Sequence, residues 1–89
     1  LKEEDKLKVV ISKGRDAKEW LEHPAFRHVI TLREAELFAT FRGSKHDEQE
    51  FREEIWRKSQ ALATVKADLE RVIRDANKAS VKLEELNSK

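Results

Sequence analysis

The stretch FREEIWRKSQALATVKADLERVIRDANKASVKLEEL, residues 51–86, contains neither glycine nor proline. Its apolar side chains recur in steps of three and four: Phe51, Ile55, Leu62, Val65, Leu69, Val72, Ala76, Ala79, Leu83 and Leu86. Only Lys58 interrupts the row. Such steps draw one apolar stripe along an α-helix. Sustained over about five heptads, they are the pattern of a helix that packs against other helices. Just upstream, Asp47, Glu48 and Glu50 bring negative charge to the positive end of the helix dipole, and Asp47 with Glu50 has the spacing of a capping box. The sequence therefore predicts a long helix over about residues 45–87.

Working outward, Gly43-Ser44 separates this helix from a second, over residues 24–42. There Phe26, Val29, Ile30, Leu37 and Phe41 recur at helical spacing, and Leu32 and Phe38 widen the stripe. Pro24 suits a first helical position, where a missing N–H is harmless, and Gly43 suits a left-handed terminating residue. Before Pro24, residues 16–22 read as a short helix with an apolar side of Ala17, Trp20 and Leu21. Asp16 and Glu19 form its capping box. Residues 1–13 are ambiguous. Leu7, Val10, Ile11 and Gly14 share a helical face, and Glu4 with Lys8 is a favourable pair, whereas Val9-Val10-Ile11 suits a short strand. No second strand offers itself, so helix is preferred. The expected fold is all-α, a single helical domain over residues 1–89. Short helices over about 1–22 and a second helix over 24–42 form a hairpin against one long, amphipathic, coiled-coil-like C-terminal helix.

Length then suggests a contact surface. A helix of about 40 residues is about 60 Å long, whereas a compact globule of this chain length is only about 30 Å across. The upstream helices are expected to cover about half of the seam. The distal part, Leu62, Val65, Leu69, Val72, Ala76, Ala79, Leu83 and Leu86, is then expected to meet another chain, with Ala76 and Ala79 small enough for close approach. The acidic run Asp47–Glu54 and the basic series Lys66, Arg71, Arg74, Lys78 and Lys82 give this helix a polarity that would steer packing between chains.

Composition excludes more than it assigns. Charged residues make up 42% of the chain, yet the net charge is +1, which argues against a generic polyanion binder. A mean hydropathy of −0.80 and the lack of a long apolar run leave no transmembrane segment, and no membrane is expected as partner. Residues 1–5 do not open a signal peptide, although the chain begins at Leu1 without methionine, which leaves sequence before it open. There is no cysteine, so disulfides and thiolate metal sites are excluded, oligomerisation remains as a way to stabilise a small core, and a reducing compartment is favoured.

No constellation reads as catalytic, and no cofactor or metal is expected. His23, His28 and His46 lack the i,i+4 spacing that puts two ligands on one helix face, and the carboxylates belong to charge-balanced helix faces. The short turns around Lys13 and Arg15 and around Arg42 and Lys45 do not match a phosphate-binding loop. Together with Arg71, Arg74 and Lys78 they are the candidate nucleic-acid contacts, an open but unfavoured reading beside that of solvated helix faces. Trp56 lies one residue off the seam, either widening the face that meets the second helix, which is preferred, or anchoring a subunit contact.

The run ISKGRDAKEWLEHPAF, residues 11–26, followed by DEQEFREEIW, residues 47–56, and Gln60-Ala61-Leu62, resembles small helical proteins encoded among the virion and DNA-packaging genes of tailed bacteriophages. The resemblance spans about residues 11–75, rests on helix punctuation and apolar spacing, and carries over no functional residue. It implies a particle or assembly component, in the host cytoplasm or the virion, that works by protein contacts. The expected function is thus that of a non-enzymatic, homo-oligomerising helical assembly protein, a structural, scaffolding or packaging-associated component. Its partners would be further copies of the chain or other viral or host proteins. The alternatives are a nucleic-acid-binding module of a packaging complex and a small helical inhibitor docking on a host protein.

Overall fold

The computed structural model describes residues 2–88, which form three helices: α1, Glu3–Glu22; α2, Pro24–Gly43; and α3, Gln49–Asn87. No strand occurs among the described residues. The ambiguous N-terminal segment is helical from Glu3 onward, and Leu1 lies outside the described residues. Val10 and Ile11 are half-buried on the α1 face that carries buried Gly14 and Ala17, so packing decides against the strand that local β-propensity favours. Glu4 and Lys8 form the expected pair, at 3.3 Å.

Two of the expected break points behave differently from each other. Pro24 ends α1 and opens α2: His23 between them is extended (φ −66°, ψ 126°), and its Nδ1 accepts the Ala25 N–H at 3.1 Å, capping α2. Gly14, by contrast, interrupts nothing. The short helices expected over 1–22 are one helix of 20 residues, and the Asp16 capping box does not form because Asp16 lies in its interior. The reason is tertiary. A Cβ on Gly14 would overlap the Cβ of Ala76 and stand 3.4 Å from the Val72 carbonyl oxygen. Glycine is here a point of close helix approach rather than a helix end.

The turn between α2 and α3 also departs from expectation. Gly43 is the last residue of α2 without a positive φ, and Ser44 ends the helix instead, extended, with its N–H donating to the Phe41 carbonyl at 3.1 Å. The long helix begins at Gln49 rather than near 45. Glu48 sits at its cap without a side-chain cap bond and instead accepts the Lys45 N–H at 3.0 Å, so the Asp47–Glu50 box is not made.

α1 and α2 follow one another along α3 and run antiparallel to it. Glu3 bridges to Lys82 at 2.7 Å, Gly14 meets Ala76, Glu34 reaches Lys66 at 3.4 Å, and the Arg52 guanidinium lies over the Phe41 ring. The molecule is a rod of 64 × 25 × 18 Å with a radius of gyration of 18.9 Å, against about 12 Å for a compact chain of this length. This corrects the expectation of a bare distal half. Because the upstream helices are placed end to end rather than side by side, α1 covers the far end of α3, and Ala76 and Ala79 are buried there against their own chain. Their small side chains do permit close approach, by α1. The core is thin: among the described residues the buried apolar side chains are Ala17, Ile55, Ala76 and Ala79, and no large side chain is fully enclosed.

Candidate functional site

The row of α3 turned toward α1 and α2 is set by helical period. Ile55, Leu62, Leu69, Ala76 and Leu83, every seventh residue, are each buried or half-buried. These form the intramolecular seam. Their neighbours Phe51, Val65 and Leu86, from the same predicted stripe, stay exposed at its edge. Thus the expected distal contact set divides: Leu62, Leu69, Val72, Ala76, Ala79 and Leu83 are covered at least in part within the chain, and Val65 and Leu86 are open. Lys58, the gap in the stripe, points to solvent and pairs with Glu54 at 3.3 Å.

An open apolar surface lies between α2 and α3, on the other flank of this seam. There the helices diverge into a cleft of about 860 Å³ floored by Leu37, Ile55 and Leu62. One end is aromatic: Phe38 of α2 and Trp56 of α3 line it with 64% and 60% of their surfaces exposed, beside Phe41. Trp56 therefore borders the second helix as expected but is not covered by it. The other end is lined by the small side chains Ala35, Ala63 and Ala67 and edged by Glu34, Lys66 and Glu70. Two cations frame the aromatic end. Arg42 lies 5.5 Å from the centre of the Phe38 ring and Arg52 4.4 Å from that of Phe41. The buried Arg52 Nε has no hydrogen-bond partner, and neither Arg52 nor Glu70 has an ion-pair partner among the described residues.

A second, smaller hollow of about 500 Å³ sits at the α1–α2 joint, where Trp20 packs edge-on against Phe26 with ring centres 5.6 Å apart, beside His23 and Val29. Trp20 remains 61% exposed.

The expected nucleic-acid contacts gather only in part. Lys13 and Arg15 flank Gly14 on exposed positions of α1, level with Arg71, Arg74 and Lys78 on α3. Arg42 and Lys45 lie at the far end of α2, roughly 40 Å away by the rise of about 25 residues of α3. Arg71 is paired with Asp68 at 2.9 Å. Carboxylates likewise stay dispersed, and no group of three or more His, Asp or Glu that could hold a metal occurs among the described residues. No described helix is long and apolar enough to cross a membrane.

Among the described residues, Glu3 and Lys82, far from the cleft, have shifted affinities for protons. The hydrogen bond from Lys82, and then its charge, lowers the Glu3 carboxyl, and the same bond and charge raise Lys82. The cleft offers apolar surface with flanking charge, which is chemistry for recognising another surface.

The surface flank was missed in the sequence because its members do not form an apolar stripe: Trp56, Ala63 and Glu70, at sevenfold spacing, mix bulk, smallness and charge. A search for such a row beside the seam would have found it. No family model matches the chain, and no curated protein or solved structure matches it.

Proposed function

We propose that this chain is a non-enzymatic helical assembly protein that acts by associating with further copies of itself through the α2/α3 cleft. The supporting observation is the excess of its surface. The chain exposes 7341 Å², whereas a compact monomer of 10.4 kDa would expose about 5,400 Å². The excess, about 1,900 Å² per chain, falls within the roughly 1,000–2,500 Å² that each subunit buries in an obligate homodimer. Part of it is concentrated where Phe38 and Trp56 stand open, and clustered exposed aromatics are the usual anchors of protein contacts. The phage setting, as a structural, scaffolding or packaging-associated component in virion or host cytoplasm, is carried by the resemblance of residues 11–75 alone.

The contact surface differs from the one expected from sequence, because α1 already occupies the distal seam. Mass by sedimentation equilibrium or light scattering tests the reading. Elution volume would mislead, since a 64 Å rod elutes early even as a monomer. At micromolar concentration the mass should be at least twice 10.4 kDa, and Trp56→Ala should weaken association by about 2 kcal/mol, roughly 30-fold. A stable monomer at that concentration would refute the proposal.

A further inference from the structure

We infer that the occupant of the α2/α3 cleft is the same cleft of a second copy, turned end for end about a two-fold axis that passes beside α3, between the copies, at the level of Gln60. The inference rests on the self-association proposed above and adds its geometry. In a two-fold contact, if one residue meets another, the second meets the first, so the surface must complement itself. The cleft does so in bulk and in charge, about one level of α3.

Bulk comes first. Trp56 fills the aromatic end, and Ala63 and Ala67 leave the other end shallow. Trp56 and the midpoint of the two alanines lie equally far, about 7 Å along the helix, on either side of the level between Gln60 and Ala61. Reversing one copy seats each Trp56 over the partner copy's alanine hollow. Ala35 lines the cleft from α2 and lets the second helix approach its own copy closely.

Charge agrees on the same level. Arg52 and Glu70 are centred on Ala61, and each lacks an ion-pair partner among the described residues. Stacking on Phe41 holds the Arg52 guanidinium at the aromatic end, while Glu70 edges the alanine end. End-for-end apposition brings Arg52 of each copy to Glu70 of the other. It also carries the acidic start of α3, Glu50 included, over the partner copy's Arg71 and Arg74. A parallel apposition would instead set Trp56 against Trp56 and Arg52 against Arg52, pairing bulk with bulk and like charges.

The chain has no cysteine, so one introduced thiol reports one position. Gln60, exposed and a helical turn from both Trp56 and Ala63, lies close to the axis, where a disulfide between copies is within reach. Under mild oxidation of the full chain, Gln60→Cys should yield a covalent dimer, while Glu84→Cys, about 36 Å from the axis, should not. Arg52→Glu and Glu70→Arg should each weaken association about tenfold or more, and the double variant should recover to within about threefold of the parent. A monomeric parent chain overturns the inference together with the self-association beneath it. A parent dimer in which Gln60→Cys couples no faster than Glu84→Cys, and the charge swap fails to rescue, overturns the end-for-end arrangement alone and leaves self-association standing.

Discussion

Replacing Gly14 by alanine sets two well-understood effects against each other. In isolation, alanine is favoured over glycine in a helix interior by about 1 kcal/mol. In this molecule the new methyl would overlap the Cβ of Ala76, an atom fixed to the α3 backbone and unable to swing aside. The helices must separate by about 1.5 Å to reach ordinary van der Waals distance. Even a 0.5–1 Å gap forfeits roughly a quarter to a half of each contact it opens, and overpacking of this kind costs about 1–3 kcal/mol. The contacts at stake, around Ala17, Ala76 and Ala79, are most of the buried core. Because the blocking atom is fixed to the backbone, the cost falls in the upper part of that range, about 2–3 kcal/mol, and after subtraction of the helix preference the net loss should be about 1–2 kcal/mol. At about 2.1 cal/mol/K per residue, the unfolding entropy of 89 residues makes each kcal/mol worth about 5 °C, so Tm should fall by about 5–10 °C. Gly43→Ala is the internal control. Beyond its own helical turn, no atom of the described residues stands within 4 Å of the place its new methyl would take, and its φ is not positive, so the helix preference alone should raise Tm by a few degrees. Moving the methyl across the interface, as Gly14→Ala with Ala76→Gly, should recover most of the loss. Thermal denaturation followed by far-ultraviolet circular dichroism, at one protein concentration, reads all three. A Tm for Gly14→Ala at or above that of the parent would refute the close packing of α1 on α3.

Other perturbations separate fold from contact. Leu69→Glu, which a purely intermolecular seam would answer with dissociation of a folded chain, should instead destabilise the helices by about 3 kcal/mol, because Leu69 is half-buried against its own chain; fully retained thermal stability would count against that placement. His23→Ala removes the cap of α2 and should cost about 1 kcal/mol, read as a Tm lower by about 5 °C. The Glu3–Lys82 bridge should tie the N-terminus of α1 to α3 between two limits of pH. Glu3, lowered, contributes above its unfolded value and loses that contribution as pH falls through its folded one; Lys82, raised, contributes below its unfolded value and loses it as pH rises through its folded one. Amide exchange in the first turns of α1 should therefore speed up in acid beyond its intrinsic pH dependence in the parent, and no longer do so in Glu3→Gln.

The second helix, the long third helix and the Pro24 break were legible in the sequence because all are local: periodicity writes the stripes, and proline and the residue before it leave little choice of backbone. Gly14 and Asp16 show where locality fails. Each carries a valid signal for a helix boundary, yet apposition to Ala76 makes the glycine an asset to a continuous helix. The seam was likewise readable as a buried row, but periodicity states that a face is covered and not by what. The expectation of a partner on its distal half assumed a compact chain. End-to-end placement of α1 and α2 removed that premise and left the open apolar surface instead between α2 and α3, where Trp56 stands.

The pairing of Gly14 with Ala76 also has a bearing on how the chain folds. This close approach joins residues 62 positions apart, whereas the helices that flank the turn at residues 44–48 leave the cleft between them. Zipping outward from that turn would close short loops first, at the smallest entropic penalty, yet would gain little from the splayed pair it forms. The rewarding contacts arrive last, when α1 docks. α2 and α3 should therefore share their cooperativity with α1, and a chain deprived of residues 1–22 should populate a fluctuating hairpin rather than a smaller version of the same rod.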